Sequence, residues 1–315
     1  MHPKGGEEVF DEELYRKANP DVEAAVRSGA CRSGLHHYKK FGKRECRPLR
    51  PAADFSTPPL PEDADYSRRD IILAGLDLSE LRGVEIGALC SPIVSIAEGD
   101  ISYVDHADTK SLKAKYADDP AVNTDLIVEV DGVWGENTLL ECVGGDFDYV
   151  VASHVIEHVP DLANWLQEIH AILKPGGRLR LAIPDRRYTF DYYRHESRLH
   201  DVLDAYLQKA RRPLPRLILE HFNMARPVDT YAIWRGQEPD PFMLTEHQAR
   251  ASLAIARDAL LNGSYHDAHC WVFTPFSFRQ LMTQLALLDL LPFTIDQIVD
   301  TRPNSIEFFA HLIAV

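Results

Sequence analysis

Residues 147–183, FDYVVASHVIEHVPDLANWLQEIHAILKPGGRLRLAI, restrict the folds open to this chain more than any other stretch. Phe147 to Ala152 is a short apolar, β-branched run behind the polar Gly144-Gly145-Asp146. That is the pattern of a strand buried on both faces of a parallel sheet. Pro160 and Asp161 then open a helix, with Asp161 as its N-cap. Leu162, Trp165, Leu166, Ile169, Ile172 and Leu173 recur at helical spacing and give it one apolar face. Pro175-Gly176-Gly177 ends the helix, and a second strand starts near Leu179. A βαβ unit of this kind crosses over right-handed and lays its helix on the sheet. Ser153, His154, Glu157 and His158 follow the first strand directly. They fall at the carboxyl edge, where open α/β sheets bind ligands.

The chain length of 315 residues suffices for one large domain or two modest ones. A net charge of −14 argues against a general nucleic-acid binder, which needs a basic footprint. The five cysteines include no CxxC pair and read as reduced thiols. The first residues, MHPKGGEEVFDEE, have no apolar core of a signal peptide, and no run approaches the roughly 18 apolar residues of a membrane span. The expectation is a soluble, cytoplasmic protein with no transmembrane segment.

Upstream, Val84-Glu85-Ile86-Gly87 reads as a buried strand that ends in a tight turn of small residues and a brief helix, Ala88 to Ile93. Ile101 to Asp105 is the next strand, and it ends in an acid 20 residues after Glu85. At that separation a nucleotide-binding βαβ unit places a carboxylate on ribose hydroxyls. A helix over 110–116 and a third strand over 126–130 follow, the latter ending in Asp131-Gly132.

The ordered series VEIGALCSP, YVDHAD, IVEVDG, FDYVVASHVIEHVPD and LKPGGRLRLAIPD resembles class I S-adenosylmethionine-dependent methyltransferases, in particular the subgroup with an EIGxxxxP first motif often found with surface-glycan enzymes. The common first motif has three glycines; here Gly87 remains, with Leu89 and Ser91 at the later positions. A NAD-binding reading is correspondingly poor. The resemblance implies an α/β Rossmann-like sheet of order 3-2-1-4-5-7-6 and S-adenosyl-L-methionine as cofactor. It implies that Glu85, Gly87, Ala88 and Ser91 lie along the first-motif turn beside the methionine portion. Asp105 would take the ribose hydroxyls, and His106 would flank the adenine. Asp131, with Gly132 beside it, would bond the adenine amino group. Ser153 and His154 would sit near the sulfonium. The acceptor expected is a hydroxyl of a glycan or related small molecule. For its proton the candidates are His158, then His154, His221 and His269, with Asp185 as alternative or orienter.

Two other readings compete. One is a non-catalytic, degenerate methyltransferase-fold module, which the lost glycines favour and the two retained acids oppose. The other is a zinc hydrolase, because His154-Val155-Ile156-Glu157-His158 spells HxxEH. That chemistry needs both histidines on one helical face, and here the helix starts only at Pro160. No metal is expected. His266, Asp267, His269 and Cys270 are close in sequence but lack a second ligand cluster.

About 90 residues, 186–273, separate Pro184-Asp185 from the next sheet-covering helix. Helices are expected near 199–209 and 246–261, with prolines between them. An insertion at this edge can close over an acceptor as a lid. A helix over 277–288 and two strands, 293–299 and 306–315, complete the sheet.

Residues 1–50 read as a separate helical module, 51–68 as a Pro-rich linker and 69–315 as the main domain. The module's three short helices carry Phe10, Leu14, Val22, Val26, Leu35, Tyr38 and Phe41 as a small core. So few residues rarely stand alone, so docking on the main domain or a partner is expected. Its FDEELYRKANPDV…HHYKKFGKRECR pattern resembles a short helical repeat found beside surface-glycan enzymes. Lys39, Lys40, Lys43, Arg44, Arg47 and Arg50 make its end basic, which suits a solvated face or contact with a protein or anionic surface.

Overall fold

A computed structural model of the chain describes residues 10–42, 67–135 and 137–315. The chain divides into two compact units, Met1–Glu62 and Asp63–Val315. The Pro-rich segment 51–66 and the basic residues Lys43, Arg44, Arg47 and Arg50 lie outside the described residues. Among the described residues no helix is long and apolar enough to cross a membrane.

In the first unit, α1 (Glu12–Ala18), α2 (Pro20–Arg27) and α3 (Gly34–His37) are followed by a π turn, Tyr38–Gly42. The Asp11 carboxylate caps α1 by accepting from the Glu13 and Leu14 amides, 3.0 Å each. Pro20, which needs no amide partner at N1, opens α2 rather than merely breaking α1. The core is centred on Tyr15, which is fully buried against Phe10 and Tyr38. Leu35 and Phe41, expected in that core, are exposed.

The second unit starts with α4 (Arg68–Ile72). It continues through β1 (Arg82–Ile86), β2 (Asp100–Asp105), α5 (Thr109–Lys115), β3 (Gly132–Val133) and α6 (Leu139–Val143). The central βαβ unit is β4 (Phe147–Ser153), α7 (Leu162–Ile172) and β5 (Leu173–Pro184). Four helices form the insertion: α8 (Leu199–Gln208), α9 (Pro215–Met224), α10 (Thr230–Trp234) and α11 (Glu246–Asn262). Then come α12 (Pro275–Ala286), β6 (Phe293–Val299) and β7 (Glu307–Ala314). The seven strands form one sheet of order β3-β2-β1-β4-β5-β7-β6. β1 to β5 run parallel, and β7 is antiparallel to both β5 and β6. This is the Rossmann-like order that the resemblance implies.

The centre of the sheet is dry. Phe147, Tyr149, Val150, Val151 and Ala152 of β4 are all essentially inaccessible, as are Trp165, Leu166, Ile169 and Ile172 of α7. Each such large apolar side chain contributes about 1.5–3 kcal/mol by leaving water. Asp161 caps α7 by accepting from the Asn164 amide at 3.0 Å, as the sequence predicts. Phe278, Leu281, Met282 and Leu285 bury the matching face of α12.

Three elements differ from the sequence expectation. Residues 126–130 do not form the third strand. The Thr109 hydroxyl donates to the Val128 carbonyl at 3.2 Å and accepts from the Val130 amide at 2.8 Å, so a side chain takes the place of a sheet neighbour. The strand is reduced to Gly132–Val133, paired with Val104 and Asp105. No helix follows β1, because the Glu85 carboxylate folds the loop back by accepting from the Ile93 and Val94 amides. The insertion holds two helices beyond the two expected, α9 and α10; Pro215 starts α9 at its first turn.

Candidate active site

The carboxyl ends of β1, β2 and β4 open onto one cavity of about 460 Å³. The size is that of a small-molecule site. Ile86, Gly87 and Leu89 line it from β1, and Asp105 and His106 from β2. His154, Val155 and His158 line it from the β4 elbow. Trp134 and Gly135 form one wall, and the insertion adds Arg211, Arg212, Tyr265 and Asp267.

At the β1 end, Gly87 has φ +74°, and a Cβ built there would meet Val155 Cγ2 at 2.7 Å. Only glycine satisfies both the left-handed backbone and the close approach. Leu89 takes a left-handed conformation with φ +46°, although a side chain is present, and its carbonyl accepts from the Val128 amide at 2.9 Å. Glu85, Ala88 and Ser91 do not line the cavity. Glu85 is buried beneath the loop it folds, and its carboxyl is pushed up to about 7 by burial, against the backbone amides that favour its ionised form. Ser91 closes a turn onto the Ala88 carbonyl at 3.0 Å.

At the β2 end, the Asp105 carboxylate accepts from the His106 amide at 2.7 Å and contacts His106 Nδ1 at 2.6 Å. Asp131 is placed elsewhere. Its carboxylate accepts from the Tyr103 amide and its own amide donates to the Tyr103 carbonyl, both at 2.8 Å. It is thus tied to the β2 backbone, and it is not among the residues that line the cavity. Gly132 packs against Cys142 and Val143, where a Cβ would come within 3.0 Å of both. Trp134 and Gly135, one turn further on, reach the cavity instead.

The β4 elbow is held by polar contacts on both sides. His154 has φ +53°, and its Nε2 lies 2.8 Å from Glu307 Oε2. Arg68 holds the other oxygen of Glu307 at 2.6 Å and also donates to the Ser153 hydroxyl. Burial opposes ionisation of Glu307, but the bonds to His154 and Arg68 prevail and keep its carboxyl below the usual range. Ser153 is therefore engaged with Arg68 and does not line the cavity. Residues 154–160 are turns, so the two histidines of HxxEH do not share a helical face.

His158 Nδ1 pairs with Asp267 Oδ1 at 2.9 Å, and the Tyr265 hydroxyl donates to the same oxygen at 3.1 Å. Burial lowers the imidazole pKa, but Asp267 and Glu157 outweigh it and the net direction is upward. The His158 bond in turn holds the Asp267 carboxyl well below the ordinary range despite burial. Behind His158, the His269 ring packs edge-on at 4.7 Å, with its Nδ1 against Asp191 Oδ2 at 2.5 Å. Arg194, also buried, holds the other Asp191 oxygen at 2.8 Å. The Glu157 carbonyl accepts from the Cys270 and Trp271 amides at 2.6 and 3.1 Å, which fastens the elbow to the end of the insertion.

Of the five candidates for the acceptor's proton, His158 and His154 face the cavity, and His269 stands behind His158. His221 is one layer further back, where its Nδ1 accepts from the His269 amide at 3.3 Å; burial, then Arg194, pushes its pKa down to about 4. Asp185 is fully buried and accepts from Arg187 and Thr301, so it anchors the end of β5 and does not line the cavity. Sequence reasoning missed Asp191, Trp134 and Tyr265 and passed over Asp267 as a partner. No local signal joins Asp267 to His158, because they come together only through the fold.

A family model described as a methyltransferase domain matches residues 83–287. No curated protein matches the chain. Among solved structures it is similar to an S-adenosylmethionine-dependent methyltransferase from Methanosarcina mazei, at 17% identity over 80% of this chain and 99% of that one, TM-score 0.39. A second such methyltransferase, from Mesorhizobium loti, matches at 14% identity over 78% and 95%, TM-score 0.38. A Rhodobacter sphaeroides structure described as putative Zn-dependent alcohol dehydrogenases matches at 14% over 78% and 89%, TM-score 0.44. None of these structural likenesses is close, and the assignment rests on the family match, which spans most of the sheet and the whole insertion. The chain belongs to the methyltransferase domain family.

Proposed function

We propose that the chain transfers a methyl group from S-adenosylmethionine to a hydroxyl of a glycan or related small acceptor. The observation that carries this reading is that Asp105, ending β2, and the His154–His158 elbow, ending β4, look into the same cavity.

The residues present fit the cofactor. Gly87 lines the cavity, and its left-handed backbone, with no side chain, lets a ligand lie against the β1 turn. Asp105 offers a carboxylate at the strand end that suits a cis-diol, with His106 beside it. Ile86, Leu89 and Trp134 supply apolar walls. When bound, the cofactor supplies an electrophilic methyl on sulfur. The chain's own contribution is alignment of the acceptor, and positioning alone supplies much of the rate in such reactions. A hydroxyl must also lose its proton as it reacts. The corner around His158, with Glu157 and His269 next to it, is where this chain promotes that loss. Arg211, Arg212 and Tyr265 on the insertion suit a sugar or an anionic acceptor.

The test is a transfer assay with labelled S-adenosylmethionine against surface-glycan fractions, followed by linkage analysis of the product. Label in an ether methyl of the glycan is expected. Label found only on nitrogen or carbon, or no label while S-adenosylhomocysteine still raises the melting temperature, would overturn the acceptor assignment.

A further inference from the structure

At the inner end of the β4 elbow, Glu157, His158 and His269 bring one potential ligand atom each to within 4.8 Å of one another. Glu157 is only 1% exposed, and neither of its carboxylate oxygens has a hydrogen-bond partner among the described residues. Its nearest basic nitrogens, His154 Nδ1 and His158 Nε2, stand off at 3.7 and 3.9 Å. A buried carboxylate left in this way is costly unless it is paired or coordinates a cation.

The two histidines are arranged to match. His158 holds its Nδ1 on Asp267 at 2.9 Å, and His269 holds its Nδ1 on Asp191 at 2.5 Å. A carboxylate on Nδ1 fixes that atom as the N–H and leaves Nε2 with its lone pair. Asp–His pairs with the second nitrogen free are what orient imidazoles toward a metal. Asp191 is itself fixed by the buried Arg194 at 2.8 Å, so the support extends one layer further.

We propose that Glu157, His158 and His269 form a binding site for a divalent transition-metal ion, with zinc the best match to two imidazoles and one carboxylate. This is not the HxxEH arrangement, because His269 from the end of the insertion stands where that motif would use His154. Ligand bonds of about 2.0–2.2 Å require the three donor atoms to close in by roughly 1 Å. Three protein ligands leave a coordination position open, and one of them, His158, lies on the cavity wall. An ion there would polarise an acceptor hydroxyl and ease loss of its proton. That role rests on the proposed function; binding of the ion does not.

The experiment uses untagged full-length protein freed of metal by chelator and dialysis. Zinc is titrated calorimetrically, and cobalt is followed by its visible absorption, in wild type, Glu157→Gln, His269→Gln and Asp267→Asn. The expected result is one ion per chain, about 100-fold weaker in the two ligand variants and about tenfold weaker in Asp267→Asn. Circular dichroism checks each fold; if either ligand variant misfolds, the other and Asp267→Asn decide the matter. No saturable binding, or equal affinity in wild type and every folded variant, overturns the site. S-adenosylhomocysteine is titrated into the same metal-free protein. Its failure to bind would count against the proposed function, whereas failure of zinc to bind would count only against the metal site.

Discussion

The two ends of the cavity are built from different reaches of chain. At the β1–β2 end, Gly87, Leu89, Asp105 and His106 all come from two adjacent strand ends, and the loop between them is folded by Glu85 from within β1. At the β4 end, His158 depends on Asp267 and His269 on Asp191, and the elbow is fastened to the insertion through Cys270 and Trp271. The first end is a product of sheet geometry. The second is completed only where the four-helix insertion supplies Asp267, His269 and Asp191. Donor binding and acceptor chemistry should therefore be separable by mutation.

The largest effect is expected at the first end. Gly87→Val places a β-branched side chain at φ +74° and drives it into Val155. The strain and overpacking together cost roughly 2–5 kcal/mol of stability and should weaken binding of S-adenosylhomocysteine at the cavity that Gly87 lines. Denaturant unfolding and calorimetry read the two losses. Adding Val155→Ala should relieve the clash but not the backbone strain. Full recovery in the double variant would mean that the left-handed backbone contributes nothing.

A smaller effect is expected at the second end. Asp267→Asn leaves the cavity's shape but loosens the His158 ring, and kcat should fall about tenfold, close to 1.4 kcal/mol. Affinity for S-adenosylhomocysteine should stay within about twofold. An equal fall in both quantities would show that the two ends do not act separately.

A separate effect concerns pH. Burial raises the Glu85 carboxyl from 4.5 to about 7 in the folded chain. A folded pKa above the unfolded one stabilises the fold fully below pH 4.5, and this contribution is lost as the pH rises through about 7. The loss is about 3 kcal/mol at most. Glu85→Gln is neutral throughout, so it should flatten the fall of Tm with rising pH between about 5 and 8. An unchanged slope would assign the pH dependence to other groups.

The same contrast explains what could be read from sequence. β1, β2, β4, β5 and α7 follow from apolar runs, from the Asp161 cap and from helical spacing, all of which are local signals. Asp105 is legible because it ends a strand at a fixed distance from Glu85. Asp131 looked equivalent by the same logic, yet its carboxylate is bound by the Tyr103 amide. The third strand over 126–130 did not form because Thr109 satisfies the backbone that it would have used. α9 was hidden because Pro215 reads as a breaker until its place at the first helical turn is known. The partners of His158 and His269 had no local signal, since they lie in distant parts of the insertion.

The most direct test of the account is calorimetric titration of S-adenosylhomocysteine into wild type, Asp105→Ala and Asp131→Ala, with circular dichroism to confirm the folds. The predicted result is one ligand per wild-type chain and an affinity about 100-fold lower in Asp105→Ala, the scale of charged hydrogen bonds to a diol. Asp131→Ala should bind within a few-fold of wild type. Absence of binding in wild type, or a loss at Asp131→Ala as large as that at Asp105→Ala, would contradict it.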